Sequence, residues 1–227
     1  MTKSEIRKIA ASTDHTLLSV TSTEEDIIRL ADDAIKYQTA SVCIPPAFVS
    51  AAARYINGRI LVGTVVGFPN GYSDPTVKAF EAERAAAMGA DEIDMVINVG
   101  LIKSGRYDMQ LDEIKCVRRA VPDKTLKVII ECCLLTDEEK IEMCRVVSES
   151  GADYIKTSTG FSKGGATISD AKLLLECCAP HVKVKAAGGI RTLEDAAWYI
   201  ALGVSRIGSS AVVKCIKQLE CEEAENG

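Results

Sequence analysis

The chain has 227 residues and a formal net charge of −5, with 27 Lys and Arg against 32 Asp and Glu, and 47 % of it is hydrophobic. A chain of this length buries about 70–75 % of its unfolded surface on folding, so one large domain can form without disulfides or a structural metal. The two signs of charge are mixed with no basic stripe, no apolar run reaches membrane-spanning length, and the opening MTKSEIRKIAAST lacks the apolar core of a secretory signal. These features argue against nucleic-acid and membrane partners. The nine cysteines are odd in number, form two adjacent pairs and contain no C-x-x-C, the pattern of reduced thiols in a cytoplasmic protein. The two histidines, His15 and His181, belong to no ligand cluster, so no metal and no other cofactor is expected.

Short β-branched runs recur along the chain, each followed by a longer helix-like segment. The strand candidates are STDHT (12–16), SVCI (41–44), RILVGTVVG (59–67), DEIDMVIN (91–98), LKVIIEC (126–132), DYIKTST (153–159), VKVKAAG (182–188) and VSRIGSS (204–210). Helices are predicted at about 23–38, 46–57, 75–88, 107–120, 137–150, 167–178 and 192–202, with a last one from 211. Several open on first-turn chemistry, as in TSTEED, SDPTVKAFEAE, LTDEEK and RTLEDA, and glycines in MGADEI, SGADYI and LGVSRI mark where helices end. Strict alternation predicts a parallel sheet with helices outside it. Eight units predict an α/β fold of the (β/α)8 TIM-barrel type, a single domain over 1–227 with a short N-terminal helix and a C-terminal helix and tail. The rival, a doubly wound open sheet, lacks both a reversal in the pattern and a G-x-G-x-x-G after the first strand.

In such a barrel the active site lies at the C-terminal strand ends, and unusual polar residues fall there: Asp14, Cys43, Asp94, Asn98, Glu131, Lys156 and Lys185. Lys156 stands out because it shares the strand parity of Ala152 and Tyr154 in a segment that otherwise reads as buried, where an ammonium is expensive. Two lysines with a carboxylate form a recognisable set, since desolvation and a neighbouring ammonium leave one lysine partly as free amine, able to add to a carbonyl. Each residue alone has an ordinary reading. Lys156 can be a rim lysine, Asp94 an ion-pair partner, Cys43 a small core residue and Asp14 a turn or cap residue. Glu131 has no role beyond pairing with a lysine, and Lys183 reads as structural or solvated. The glycines of KAAGGIRT and of RIGSSAVV fall after the seventh and eighth strands, where barrels of this class cradle phosphate. TGFSKGGAT adds a third Gly-rich loop, with Lys163.

The segments KTSTGF (156–161), EIDMVINVG (92–100) and KAAGGIRT (185–192), together with DHTLL (14–18), CIPP (43–46) and VGFPNG (66–71) in that order, strongly resemble deoxyribose-phosphate aldolase. The resemblance spans roughly residues 10 to 213. It implies a metal-independent class I aldolase that cleaves 2-deoxy-D-ribose 5-phosphate reversibly to D-glyceraldehyde 3-phosphate and acetaldehyde through a lysine Schiff base. By motif it makes Lys156 the nucleophile, Lys185 the residue that perturbs it and joins proton transfer, and Asp94 the acid/base partner acting with an ordered water. Asp14, Thr16 and Cys43 would line the substrate pocket, and Thr159, Gly160, Gly188, Gly189, Gly208, Ser209 and Ser210 would complete it and hold the phosphate. The implied partners are a phosphorylated sugar and aldehydes, with further copies of the chain in a homo-oligomer. The tail CIKQLECEEAENG lacks the terminal tyrosine that some members use in proton transfer. The neighbouring readings are another phosphate-binding barrel, either a transaldolase-like enzyme or a metal-free isomerase, and a non-catalytic sugar-phosphate binding protein.

Overall fold

The computed structural model of the protein describes residues 1–225. The reading of a tail to residue 227 therefore ends, at residues 226–227, outside the described residues. In chain order the elements are α1 (Lys3–Ala11), β1 (Thr13–Thr16), α2 (Glu24–Tyr37), β2 (Ser41–Ile44), α3 (Val49–Ile56), β3 (Leu61–Val66), α4 (Pro75–Ala87) and β4 (Glu92–Val96). They continue as α5 (Val99–Lys103), α6 (Tyr107–Ala120), β5 (Thr125–Ile129), α7 (Asp137–Ser150), β6 (Tyr154–Lys156), α8 (Ile168–Cys177), β7 (Lys183–Ala187), α9 (Leu193–Leu202), β8 (Arg206–Ser209) and α10 (Val212–Glu225).

The helix starts are written locally. Thr2, Thr23, Thr136 and Thr192 each form a reciprocal capping box with the acidic residue three positions on, and Asp74 precedes the proline that opens α4. The eight parallel strands pair in sequence order and close when β8 returns to β1, with Asp14 opposite Gly208, giving a (β/α)8 barrel. Strand parity then divides the residues. Val42, Ile44, Ile93, Met95, Leu126, Val128, Ile155 and Val184 belong to the buried apolar core under the helices. The opposite parity carries Asp14, Ser41, Glu92, Asp94, Lys127, Lys156 and Lys185, all buried, so the barrel interior is ionic where branched apolar layers are usual.

Several elements differ from the sequence reading, among them β6, read to residue 159 but ending at Lys156, and three of the differences have a local reason. The segment 46–57 begins as a 3-10 turn at Pro46–Phe48 before α3, closed by the Phe48 N–H on the Pro45 carbonyl. The strand read through Cys132 ends at Ile129 because Glu131 takes a left-handed conformation (φ 52°) and starts a 3-10 turn. Helix α5, capped by Asn98, is too short for a periodic signal.

Candidate active site

Lys156 is the last residue of β6 and Lys185 lies opposite it on β7, while Asp94 on β4 pairs in register with Lys127 on β5. The interior parity thus aims all four side chains at one another. Asp94 Oδ2 accepts from Lys156 Nζ at 2.8 Å and from Lys185 Nζ at 2.7 Å, and Asp94 Oδ1 accepts from Lys127 Nζ at 2.8 Å. Lys185 also donates to Asp14 Oδ2, and Lys127 donates to Glu92 Oε2 at 2.6 Å. Arg206 closes the lower end by donating to Asp14 Oδ1 and, at 2.8 Å, to Glu92 Oε1. Ser41 adds a neutral donor to Asp14 at 2.8 Å. The result is a ladder of charges, buried except at the partly exposed Arg206, running down the barrel with Lys156 at its open end.

The ladder sets the protonation preferences of its members. Burial opposes the charge on Lys185, but the Asp14 and Asp94 carboxylates outweigh it and hold its pKa above the ordinary lysine value. Burial likewise opposes ionised Asp94, yet Lys127, Lys156 and Lys185 hold its carboxyl well below the usual range. Lys156 goes the other way. Burial, opposed by Asp94 and reinforced by Lys185, lowers its pKa. Burial also pushes the Cys43 thiol up, which keeps it neutral beside the ladder.

Above Lys156 opens a cavity of about 460 Å³. Its walls bring together Thr16 at the end of β1, Thr159 and Gly160 after β6, Gly188 and Gly189 after β7, and Gly208, Ser209 and Ser210 at β8 and before α10. Asp14, Asp94, Lys185 and Cys43 lie beneath this cavity and do not line it. Lys163 is exposed on the loop after β6 and is not among the lining residues.

Two glycines are explained by space. A Cβ at Gly208 would meet the Ala187 Cβ at 2.8 Å and Lys185 Cε at 3.2 Å, so its absence admits the Lys185 side chain. Gly188 (φ +83°) packs against the Gly165 backbone, where a Cβ would lie 3.0 Å from Gly165 Cα, so the loops after β6 and β7 meet backbone to backbone. The Ser209 hydroxyl donates to the Ile190 carbonyl at 2.9 Å and accepts from the Ala211 and Val212 amides, tying the loop after β7 to the start of α10. The positive end of that helix therefore opens on the cavity, where an anion is favoured.

Among the described residues Glu131 pairs with no lysine. Its carboxylate accepts from the Thr159 hydroxyl and from the Thr159 N–H at 3.3 Å, fixing the start of the loop that carries Gly160. Asn98 caps α5, its side chain accepting from the Gly100 N–H at 3.1 Å. Lys183 is exposed, with its ammonium 5.7 Å from the Tyr154 ring centroid. The sequence reading missed Glu92, Lys127 and Arg206. The available signal was parity, since Glu92 and Asp94 share one face of β4.

Comparison with known proteins gives consistent matches. The profile described as DeoC/LacD family aldolase matches residues 8–209. A deoxyribose-phosphate aldolase of Streptococcus agalactiae serotype Ia is 50 % identical over 219 residues, covering 96 % of this chain and 98 % of that protein. One from Streptococcus pyogenes serotype M4 is 51 % identical over 213 residues, covering 94 % and 96 %. Among solved structures, an aldolase designated QR15 superposes with a TM-score of 0.90 at 34 % identity, covering 95 % of this chain and 97 % of the other. A tetrameric deoxyribose phosphate aldolase from Aeropyrum pernix gives 0.83 at 29 % identity, covering 97 % and 99 %. The chain belongs to the DeoC/LacD family of aldolases, enzymes of the lyase class.

Proposed function

We propose that the protein cleaves 2-deoxy-D-ribose 5-phosphate reversibly to D-glyceraldehyde 3-phosphate and acetaldehyde, with Lys156 as Schiff-base nucleophile. The observation that carries this reading is the position of Lys156. It is the ladder lysine whose pKa is lowered, and it is the one that reaches the cavity wall. The streptococcal relatives are named deoxyribose-phosphate aldolases, which supports a deoxyribose phosphate as the substrate. A cavity edged by glycines and the start of α10 suits a phosphorylated molecule of this size.

The neutral amine of Lys156 adds to the aldehyde carbon of the open-chain sugar, and loss of water from the carbinolamine leaves an iminium. The iminium takes up the electron pair of the C2–C3 bond as a base removes the C3 hydroxyl proton, so that C3 becomes the aldehyde carbon of the departing glyceraldehyde 3-phosphate and C1–C2 remain as the enamine. Protonation of the remaining enamine and hydrolysis release acetaldehyde and regenerate Lys156. Asp94 Oδ2 accepts from Lys156 and Lys185 at once, so a proton has a continuous path among the three, and with water they serve as acid and base. In this route the iminium is the electron sink. Assembly into a homo-oligomer and residence in the cytoplasm belong to the same proposal. The tetrameric relative and nine free cysteines support them.

Incubation with acetaldehyde and borohydride tests the reading. A two-carbon adduct is expected on Lys156, and Lys156→Leu removes both adduct and turnover. An adduct on Lys185 or Lys127 overturns the assignment.

A further inference from the structure

Seven ionisable side chains make up the ladder, and their charges do not balance. Lys127, Lys156, Lys185 and Arg206 face Asp14, Glu92 and Asp94 within 4 Å. With all seven ionised, four positive charges meet three negative ones; all but the partly exposed Arg206 lie buried in the barrel, where an uncompensated charge is costly. One cation is favoured to give up its proton. The contacts single it out, because Lys127 touches three carboxylates, Lys185 and Arg206 touch two each, and Lys156 touches Asp94 alone. Ser41 and Cys43 on β2 and Tyr154 on β6 face the ladder from other positions, and burial pushes the Cys43 thiol up. Lys183, at the start of β7, is exposed to solvent, which screens it.

We propose that Lys127 and Arg206, opposed by Glu92, are positioning residues that set the free-amine fraction of Lys156 through the net charge of the ladder, although none of the three lines the cavity. This rests on the assignment of Lys156 as nucleophile and adds to it that the nucleophile is tuned from the closed end of the barrel. Glu92 and Asp94 are two residues apart on one strand face, about 7 Å. A unit charge removed on the order of 10 Å from Lys156, at an effective dielectric near 20, moves its titration by about one pH unit.

The signs differ between sites. Arg206→Gln removes the surplus positive charge, so Lys156 holds its proton and the pH profile of adduct formation moves about one unit alkaline. At neutral pH, adduct formation slows about tenfold. Glu92→Gln enlarges the surplus and moves the profile about one unit acid. The double variant Glu92→Gln/Arg206→Gln restores the surplus of one and returns the profile to its wild-type position. Arg206→Lys keeps the charge and keeps the profile.

The measurement is the rate of borohydride-trapped acetaldehyde adduct on Lys156 against pH, with circular dichroism confirming folded protein. Where Arg206→Gln does not fold, Lys127→Gln removes the same charge from the middle of the ladder and carries the same alkaline expectation. Opposite shifts cancelled in the double variant support the proposal. Unmoved profiles, shifts of one sign, or a double variant further displaced than either single one overturn it. Absence of any adduct on Lys156 in the wild type is a different result, which overturns the nucleophile assignment.

Discussion

Replacing Lys78 by methionine removes a charge from a second buried network, between α4 and α6. Lys78 and Glu113 are both fully buried and joined at 2.8 Å. The Lys78 ammonium also donates to the Gly71 carbonyl and, at 2.8 Å, to the Val96 carbonyl, so it ties the loop after β3 and the end of β4 to one point. Glu113 has one other donor, Gln110 Nε2 at 2.9 Å on Oε1, and its Oε2 is unpartnered. Methionine preserves most of the side-chain volume but leaves a buried carboxylate without a counter-charge and two carbonyls without this donor. Removing one member of a buried pair costs about 3–5 kcal/mol, which lowers Tm by roughly 6–20 °C in a domain of this size. Urea unfolding followed by circular dichroism measures the loss. Lys78→Met/Glu113→Met removes the stranded charge and recovers part of the stability, less the cost of the two carbonyls. A single-variant loss below about 1 kcal/mol, or a double variant less stable than the single, would refute the reasoning.

His15 is buried behind the β1 end, its Nε2 3.9 Å from Asp33, and burial lowers its pKa to about 4. The unfolded chain takes up a proton near pH 6.5 while the folded chain stays neutral until about pH 4, so stability is lost as pH falls through that window. The loss is about 2 kcal/mol between pH 7 and pH 5. His15→Gln flattens it, and an unchanged slope in denaturant titrations at the two pH values counts against the assignment. For the cavity, Ser210→Asp sets a carboxylate beside the start of α10. It raises KM for deoxyribose 5-phosphate at least tenfold and leaves that for unphosphorylated deoxyribose unchanged, whereas an equal effect on both sugars places the phosphate elsewhere.

Sequence alone determined the elements and pointed to an aldolase. Alternation of β-branched runs with capped helices is a local signal, because caps, turn glycines and strand parity act over a few residues, and eight repeats of it leave few ways to close a parallel sheet. Lys156 and Lys185 were legible for the same reason, as charges on apolar strands beside glycine-rich loops. Tertiary structure alone decided which carboxylate each lysine meets. Asp14 read as a pocket or turn residue, yet closure of β8 onto β1 places it beneath the cavity between Lys185 and Arg206. Glu131 read as a lysine partner, yet its left-handed backbone directs it to Thr159. Parity placed Glu92 on the face of Asp94, but only the pairing of β4 with β5 and the closure that brings β8 across the barrel show that Glu92, Lys127 and Arg206 meet. A buried charge is defined by its partners, and here those partners come from strands up to 192 residues apart, as with Asp14 and Arg206. Periodicity says which face a side chain occupies, and closure of the barrel says what waits there.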